Sequence, residues 1–77
     1  MNVLKLKSAR VAKGLSQENI SKKLSVTVKT YNRKELNKIQ FTNDEIKELA
    51  RILELSTKEV NEIFFDNQLT DCISSIA

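Results

Sequence analysis

The chain contains no proline and a single glycine, Gly14, in 77 residues. Short β-hairpins need residues that accept positive φ or preset a turn. Their scarcity argues against strands before any periodicity is considered. With 40% apolar residues, rich in Leu, Ile and Val, the composition is that of a packed chain and not a disordered one. An all-α, compact single domain is expected. At this size folding buries only roughly 60% of the surface that the unfolded chain exposes.

Caps and apolar spacing place five helices. The first covers about 3–13, with Leu6, Ala9 and Lys13 on one face and Gly14 at the left-handed position that ends it. Ser16 caps a second, 17–24, carrying Ile20 and Leu24 four residues apart. Asn19 stands where a full capping box has Glu or Gln, so this cap is expected to be the weaker kind. After the turn Ser25-Val26-Thr27, Thr27 caps a third helix over 28–35. Thr42-Asn43-Asp44-Glu45 and Ser56-Thr57-Lys58-Glu59 are complete capping boxes. They open a fourth helix, with Ile46, Leu49, Ala50 and Leu53, and a fifth, with Val60, Ile63 and Phe64. Beyond residue 66 the chain turns polar. Leu69, Ile73 and Ile76 recur there at helical spacing, which allows a short C-terminal helix, a frayed end or a dimer-docking tail (67–77) on the domain 1–66. No internal repeat or linker interrupts the pattern.

Several classes of function are disfavoured. The lone Cys72 has no internal disulfide partner, and with no His a Cys/His zinc site is ruled out, so neither metal nor cofactor is expected. No His, no nucleophile beside a base and no phosphate-cradling glycine loop leave catalysis without machinery. The N-terminus has charged residues every two or three positions and no long apolar run, which points to a soluble, cytoplasmic protein without a membrane partner or a small-molecule substrate.

Charge is the positive clue. Up to Lys34 there are nine Lys or Arg against the single acid Glu18; from Glu35 onward there are four bases against nine acids. A basic half joined to an acidic half is the pattern of a molecule with one side facing a polyanion. Two short helices separated by three residues suit that use: the first braces on a nucleic-acid backbone while the second lies in the major groove, which is wide enough for one helix. Ile20, Leu24, Val26 and Tyr31 are candidates to fill the inside of that corner, and Ser21 is small enough for close approach. Tyr31 reads as a core aromatic, and the Phe64-Phe65 pair as mostly core with one ring exposed for a partner.

The stretch Lys5-x-Lys7-x-x-Arg10-x-x-Lys13-Gly14-Leu15-Ser16-Gln17-Glu18-x-Ile20-Ser21-x-Lys23-Leu24-x-Val26-Thr27 resembles the helix-turn-helix of the Cro/CI-like (XRE) repressor family. Thr30-Tyr31-x-x-Lys34-Glu35-x-Asn37, Phe41-Thr42-x-x-Glu45-Ile46 and Asn61-Glu62-Ile63-Phe64-Phe65 are similar to a branch of small regulators of phages and mobile elements of Gram-positive bacteria. The likeness runs over about 3–65 without gaps. It implies a five-helix, lambda-repressor-like fold and sequence-specific binding of double-stranded DNA by a transcriptional repressor. Ser25 and Asn37 stand where the family usually has Gly. Asn tolerates a left-handed backbone well, whereas Ser25 is expected to bring strain or an altered turn. Ser21 replaces the usual Ala.

Site roles follow from position and from that resemblance. Gln17, at the start of the second helix, is expected to hold a phosphate. Val28, Lys29, Asn32 and Arg33 point away from Tyr31: Lys29 and Arg33 toward guanine, Asn32 toward adenine or a phosphate, and Val28 with Thr27 toward a thymine methyl. Asn37, Lys38 and Gln40 are expected on phosphates. The resemblance further implies that Arg10 pairs with Glu35 and locks the third helix to its scaffold. Without a second, oligomerising domain the chain reads as Cro-like, a homodimer at least on DNA, with residues 59–65 and the tail as candidate contacts. A protein-interaction module on the same fold, such as an antitoxin or anti-repressor, is the alternative. The positive charge of Lys29, Arg33 and Lys34 on the third helix argues for DNA.

Overall fold

The protein is described by a computed structural model that covers residues 1–65; the readings placed on the tail, and the domain boundary at 66, lie outside the described residues. Five helices follow in order: α1 (Val3–Ala12), α2 (Gln17–Lys23), α3 (Val28–Glu35), α4 (Asn43–Ile52) and α5 (Thr57–Phe64). Each start has a side-chain cap. The hydroxyls of Ser16, Thr27, Thr42 and Ser56 accept from the backbone N–H three residues on, satisfying donors that a helix leaves open. The Asn2 side chain does the same for α1, a cap that the first-helix pattern did not reveal. At α2 the expected weak cap is a full reciprocal box: Asn19 Oδ1 accepts from Ser16 N at 3.0 Å while Ser16 Oγ accepts from Asn19 N at 3.0 Å. A shorter amide closes the same ring that Glu closes elsewhere.

The helix ends are equally regular. After α1, α2, α3 and α4 the residues Gly14, Ser25, Asn37 and Glu54 take left-handed backbones, with φ of 70°, 58°, 64° and 53°. In each case paired 5→2 and 6→1 hydrogen bonds close a Schellman motif; after α2 these are Ser25 N to Lys22 O at 3.2 Å and Val26 N to Ser21 O at 3.0 Å. Ser25 therefore keeps the glycine-type turn and bears its cost, about 1–2 kcal/mol for an L residue. Glu54 adopts the same backbone with no composition cue to announce it. Leu15, Val26 and Leu55, the residues just after three of these turns, pack onto the core, so those three reversals are pinned by an apolar side chain.

That core consists of Leu6, Ile20, Tyr31, Leu49, Leu53, Ile63 and Phe64. Helix α2 packs on α3, α1 on α3 and α5, and α4 on α5. Phe41, in the loop before α4, joins the halves: its ring meets Tyr31 at 6.1 Å and Phe64 edge-on at 5.6 Å. Lys13, expected on one face with Leu6 and Ala9, stands at the C-cap of α1, exposed, and pairs with Glu54. Leu24 and Val26 are half-buried against the corner, and Ser21 is buried with its hydroxyl donating to Glu18 O at 2.8 Å. Phe64 is core while Phe65 is 39% exposed.

One buried and one partly buried ion pair hold this framework. Arg10 Nε donates to Glu35 Oε2 at 2.9 Å and Nη2 to Oε1 at 3.2 Å, while Nη1 reaches Leu15 O at 2.7 Å. One side chain thus ties α1 to the end of α3 and to the turn before α2. The second pair corrects the count of third-helix cations. Lys34, expected among the DNA-facing charges, is 7% exposed; its ammonium donates to Glu45 Oε1 at 2.8 Å and Gln40 O at 3.2 Å, and it lies 5.8 Å from the Phe41 ring centroid. Lys34 follows Tyr31 by three positions, so helical geometry turns it inward with the core residues.

Replacing Arg10 by Met should destabilise the fold by about 3–5 kcal/mol, because Glu35 is left charged in a dry site; urea unfolding measures it, and the double variant R10M/E35L should recover most of the loss. Glu45 supplies a pH signature. Burial raises its carboxyl, but the Lys34 ammonium and the Thr42 N–H outweigh that and hold it below the ordinary value of 4.5. A folded-state value below the unfolded one gives stability that is complete above 4.5 and is lost as pH falls through the depressed value. E45Q should therefore cost about 1–3 kcal/mol at neutral pH. The gap to the native chain should close in acid when unfolding midpoints are compared along a pH series.

Candidate nucleic-acid interface

Helix α3 is only eight residues long and two-faced. Tyr31, Lys34 and Glu35 are buried, whereas Val28 is 44% exposed and Lys29 and Arg33 stand in solvent. Thr27 shapes its N-terminus. Its Oγ1 accepts from Thr30 N at 3.1 Å and lies 2.9 Å from Thr30 Oγ1, so its hydroxyl is committed to the cap and its methyl is what remains for an outside contact.

The outward stripe of α3 is Val28, Lys29, Asn32 and Arg33, which share one side by their spacing of three to four residues. Among the described residues neither Lys29 nor Arg33 has an acidic partner. The rest of the basic half is arranged differently. Lys5, Arg10, Lys13 and Lys34 pair with Glu62, Glu35, Glu54 and Glu45 of the acidic half, and Lys22 pairs with Glu18. Much of the charge asymmetry along the sequence is thus consumed inside the molecule. Among the described residues, the cations of the first 38 positions left without an acid are Lys7, Lys23, Lys29, Arg33 and Lys38, two of them on the outer side of α3.

Gln17 and Asn32 are brought together. Asn32 Nδ2 donates to Gln17 Oε1 at 3.1 Å, and Gln17 Nε2 donates to Glu35 Oε1 at 3.4 Å. Both amides are half-buried. They run as a hydrogen-bonded line from the Arg10–Glu35 pair toward the surface. Sequence reading singled out both residues but not their contact, because side chains 15 positions apart carry no periodic signal. Asn37 and Lys38 are exposed in the loop after α3, and their backbone N–H groups are bonded to Lys34 O and Arg33 O at 3.0 and 2.8 Å. Only their side chains are available to a ligand. Gln40 is exposed, although its carbonyl is taken by Lys34.

Behind this surface, Tyr31 is fully buried and its hydroxyl closes no hydrogen bond of proper geometry. Burial, reinforced by the Glu35 carboxylate, pushes the phenol far above its ordinary range, so it stays neutral and serves packing. Among the described residues no cluster of His, Cys, Asp or Glu has the makings of a metal site, and no helix is long and apolar enough to cross a membrane.

A family model described as helix-turn-helix matches residues 6–60, which takes in everything from the first buried leucine to the fifth helix. No curated relative and no solved structure matches the chain. Two short capped helices packed at a Schellman turn, the second presenting exposed cations, together with a match over most of the chain, place this protein in the Cro/CI-like (XRE) helix-turn-helix family of DNA-binding regulators.

Proposed function

We propose that the protein recognises a specific double-stranded DNA operator and acts as a Cro-like transcriptional repressor in the cytoplasm, binding as a homodimer at least when on DNA and needing no cofactor. The observation that carries this reading is the outer side of α3, where Lys29 and Arg33 lack acidic partners among the described residues while the opposite side is locked into the core. A braced helix with free cations is the form that enters a major groove.

In that pose Arg33 and Lys29 reach guanine O6 and N7, Val28 and the Thr27 methyl meet a thymine methyl, and Asn32 meets adenine or a phosphate. Gln17 faces the backbone from the start of α2, with Asn37, Lys38 and Gln40 on flanking phosphates. These contacts mix positioning with reading, as DNA complexes generally do. Pairing of two chains would match a two-fold operator and place their α3 helices about one DNA turn apart. Ile63 and Phe64 of α5 face the core, whereas Phe65, just after the helix, is 39% exposed, so among the described residues this ring is the apolar contribution of that segment to a dimer.

Selection of bound sequences from a random duplex pool, followed by footprinting, tests the reading: a palindrome with half-sites about 10 base pairs apart is expected, and failure to enrich any motif would overturn it. Arg33→Ala should weaken binding to the selected site by about 1–3 kcal/mol and to random DNA by less; equal losses on both would reduce Arg33 to a phosphate contact. Affinity should also fall by about 100-fold between roughly 50 and 200 mM salt if about four phosphates are neutralised, and a flat salt titration would remove the electrostatic part of the proposal.

A further inference from the structure

The polar line Arg10–Glu35–Gln17–Asn32 has a direction. Glu35, bonded to the Arg10 guanidinium by two contacts, is an acceptor only. An amide beside it must present its NH2, and Gln17 does so, with Nε2 3.4 Å from Glu35 Oε1. This orientation turns Gln17 Oε1 away from Glu35 and toward α3. Asn32 must then offer its own NH2 to that oxygen, as it does at 3.1 Å. One N–H of Asn32 is thereby spent on Gln17, leaving Oδ1 and the second N–H for an outside partner.

We infer that Gln17 is a positioning residue for base reading: through its amide, the buried Arg10–Glu35 pair fixes the donor–acceptor polarity with which Asn32 meets a base edge, and the edge that fits is adenine. Resting on the DNA-binding reading above, this adds a specific role to Gln17 beyond any phosphate contact. In the major groove adenine offers the N6 amino group as donor and N7 as acceptor. Oδ1 takes the first and the remaining N–H of Asn32 serves the second. An Asn free to flip would pay for choosing that orientation upon binding, whereas one held by Gln17 enters the groove already set.

The proposal separates two roles that affinity alone would confuse. A phosphate contact carries no sequence information, so losing it lowers binding to every sequence equally. A residue that orients a reader alters the preferred base at one position. In the random-pool selection, Gln17→Ala and Asn32→Ala should each relax the preference for the same adenine, one position per half-site, by about fivefold or more, while neighbouring positions keep theirs. The Q17A/N32A double variant should relax it no further. Gln17→Met, which keeps the length and discards both amide atoms, should act like Q17A, and thermal unfolding followed by circular dichroism verifies that each variant is folded. A uniform loss of affinity with an unchanged motif in Q17A and Q17M would overturn the inference and leave the DNA-binding reading standing. Absence of any motif with the unaltered chain would overturn both.

Discussion

The rest of the structure depends on the Arg10–Glu35 pair. An arginine and a glutamate taken out of water lose strong hydration, and such a pair is not by itself a reason for a stable protein. What it supplies is geometry. The guanidinium is a rigid planar fork, here holding both oxygens of Glu35 and the Leu15 carbonyl, so α1, the turn before α2 and the last residue of α3 are fixed at one point. Apolar packing of Leu6, Ile20 and Tyr31 tolerates small sliding; a bidentate ion pair in a dry site does not. A helix that is to present side chains to a double helix requires this second kind of constraint.

A second, partly buried pair works at the other flank of α3. Lys34 ties the helix to Glu45 at the start of α4 and to the Gln40 carbonyl of the intervening loop. The two inward charges of α3 are therefore neutralised from opposite sides, and the stripe left facing out carries only Lys29 and Arg33 as charges. The separation of signs along the chain serves both ends: among the described residues four ion pairs join the basic half to the acidic half, and the remainder of the basic charge is left on the surface.

How much of this was legible depended on whether a feature is local. Helix starts were readable because a hydroxyl and a Glu three residues apart signal a closed ring of two hydrogen bonds, and the span of α3 follows from Thr27 and Tyr31. Asn2 escaped because a lone Asn has no reciprocal partner to mark it, and Asn19 was undervalued because a rule built on Glu and Gln overlooks a shorter amide. Arg10 with Glu35 was suggested by family likeness; no spacing along the chain implies it. A count of charge places Lys34 with the outward cations, whereas helical phase puts it on the buried side that it shares with Tyr31. The outer stripe of α3 followed from helical phase, whereas the contact between Gln17 and Asn32 needed the relative placement of two helices, which only packing determines.

The left-handed residues at the helix ends have an evolutionary consequence. Three of the four, Ser25, Asn37 and Glu54, are not glycine, although the backbone there is one that glycine adopts without steric cost. The fold thus sits below the stability that its own topology permits, and single codon changes at Ser25 or Glu54, neither of which is assigned a DNA contact, would raise it. Natural domains hover near a threshold at which further destabilisation abolishes function. A regulator of this kind therefore has room to trade: substitutions that retune its contact surface at some structural expense can be tolerated once a turn has been relaxed, so new specificities become reachable without rebuilding the core.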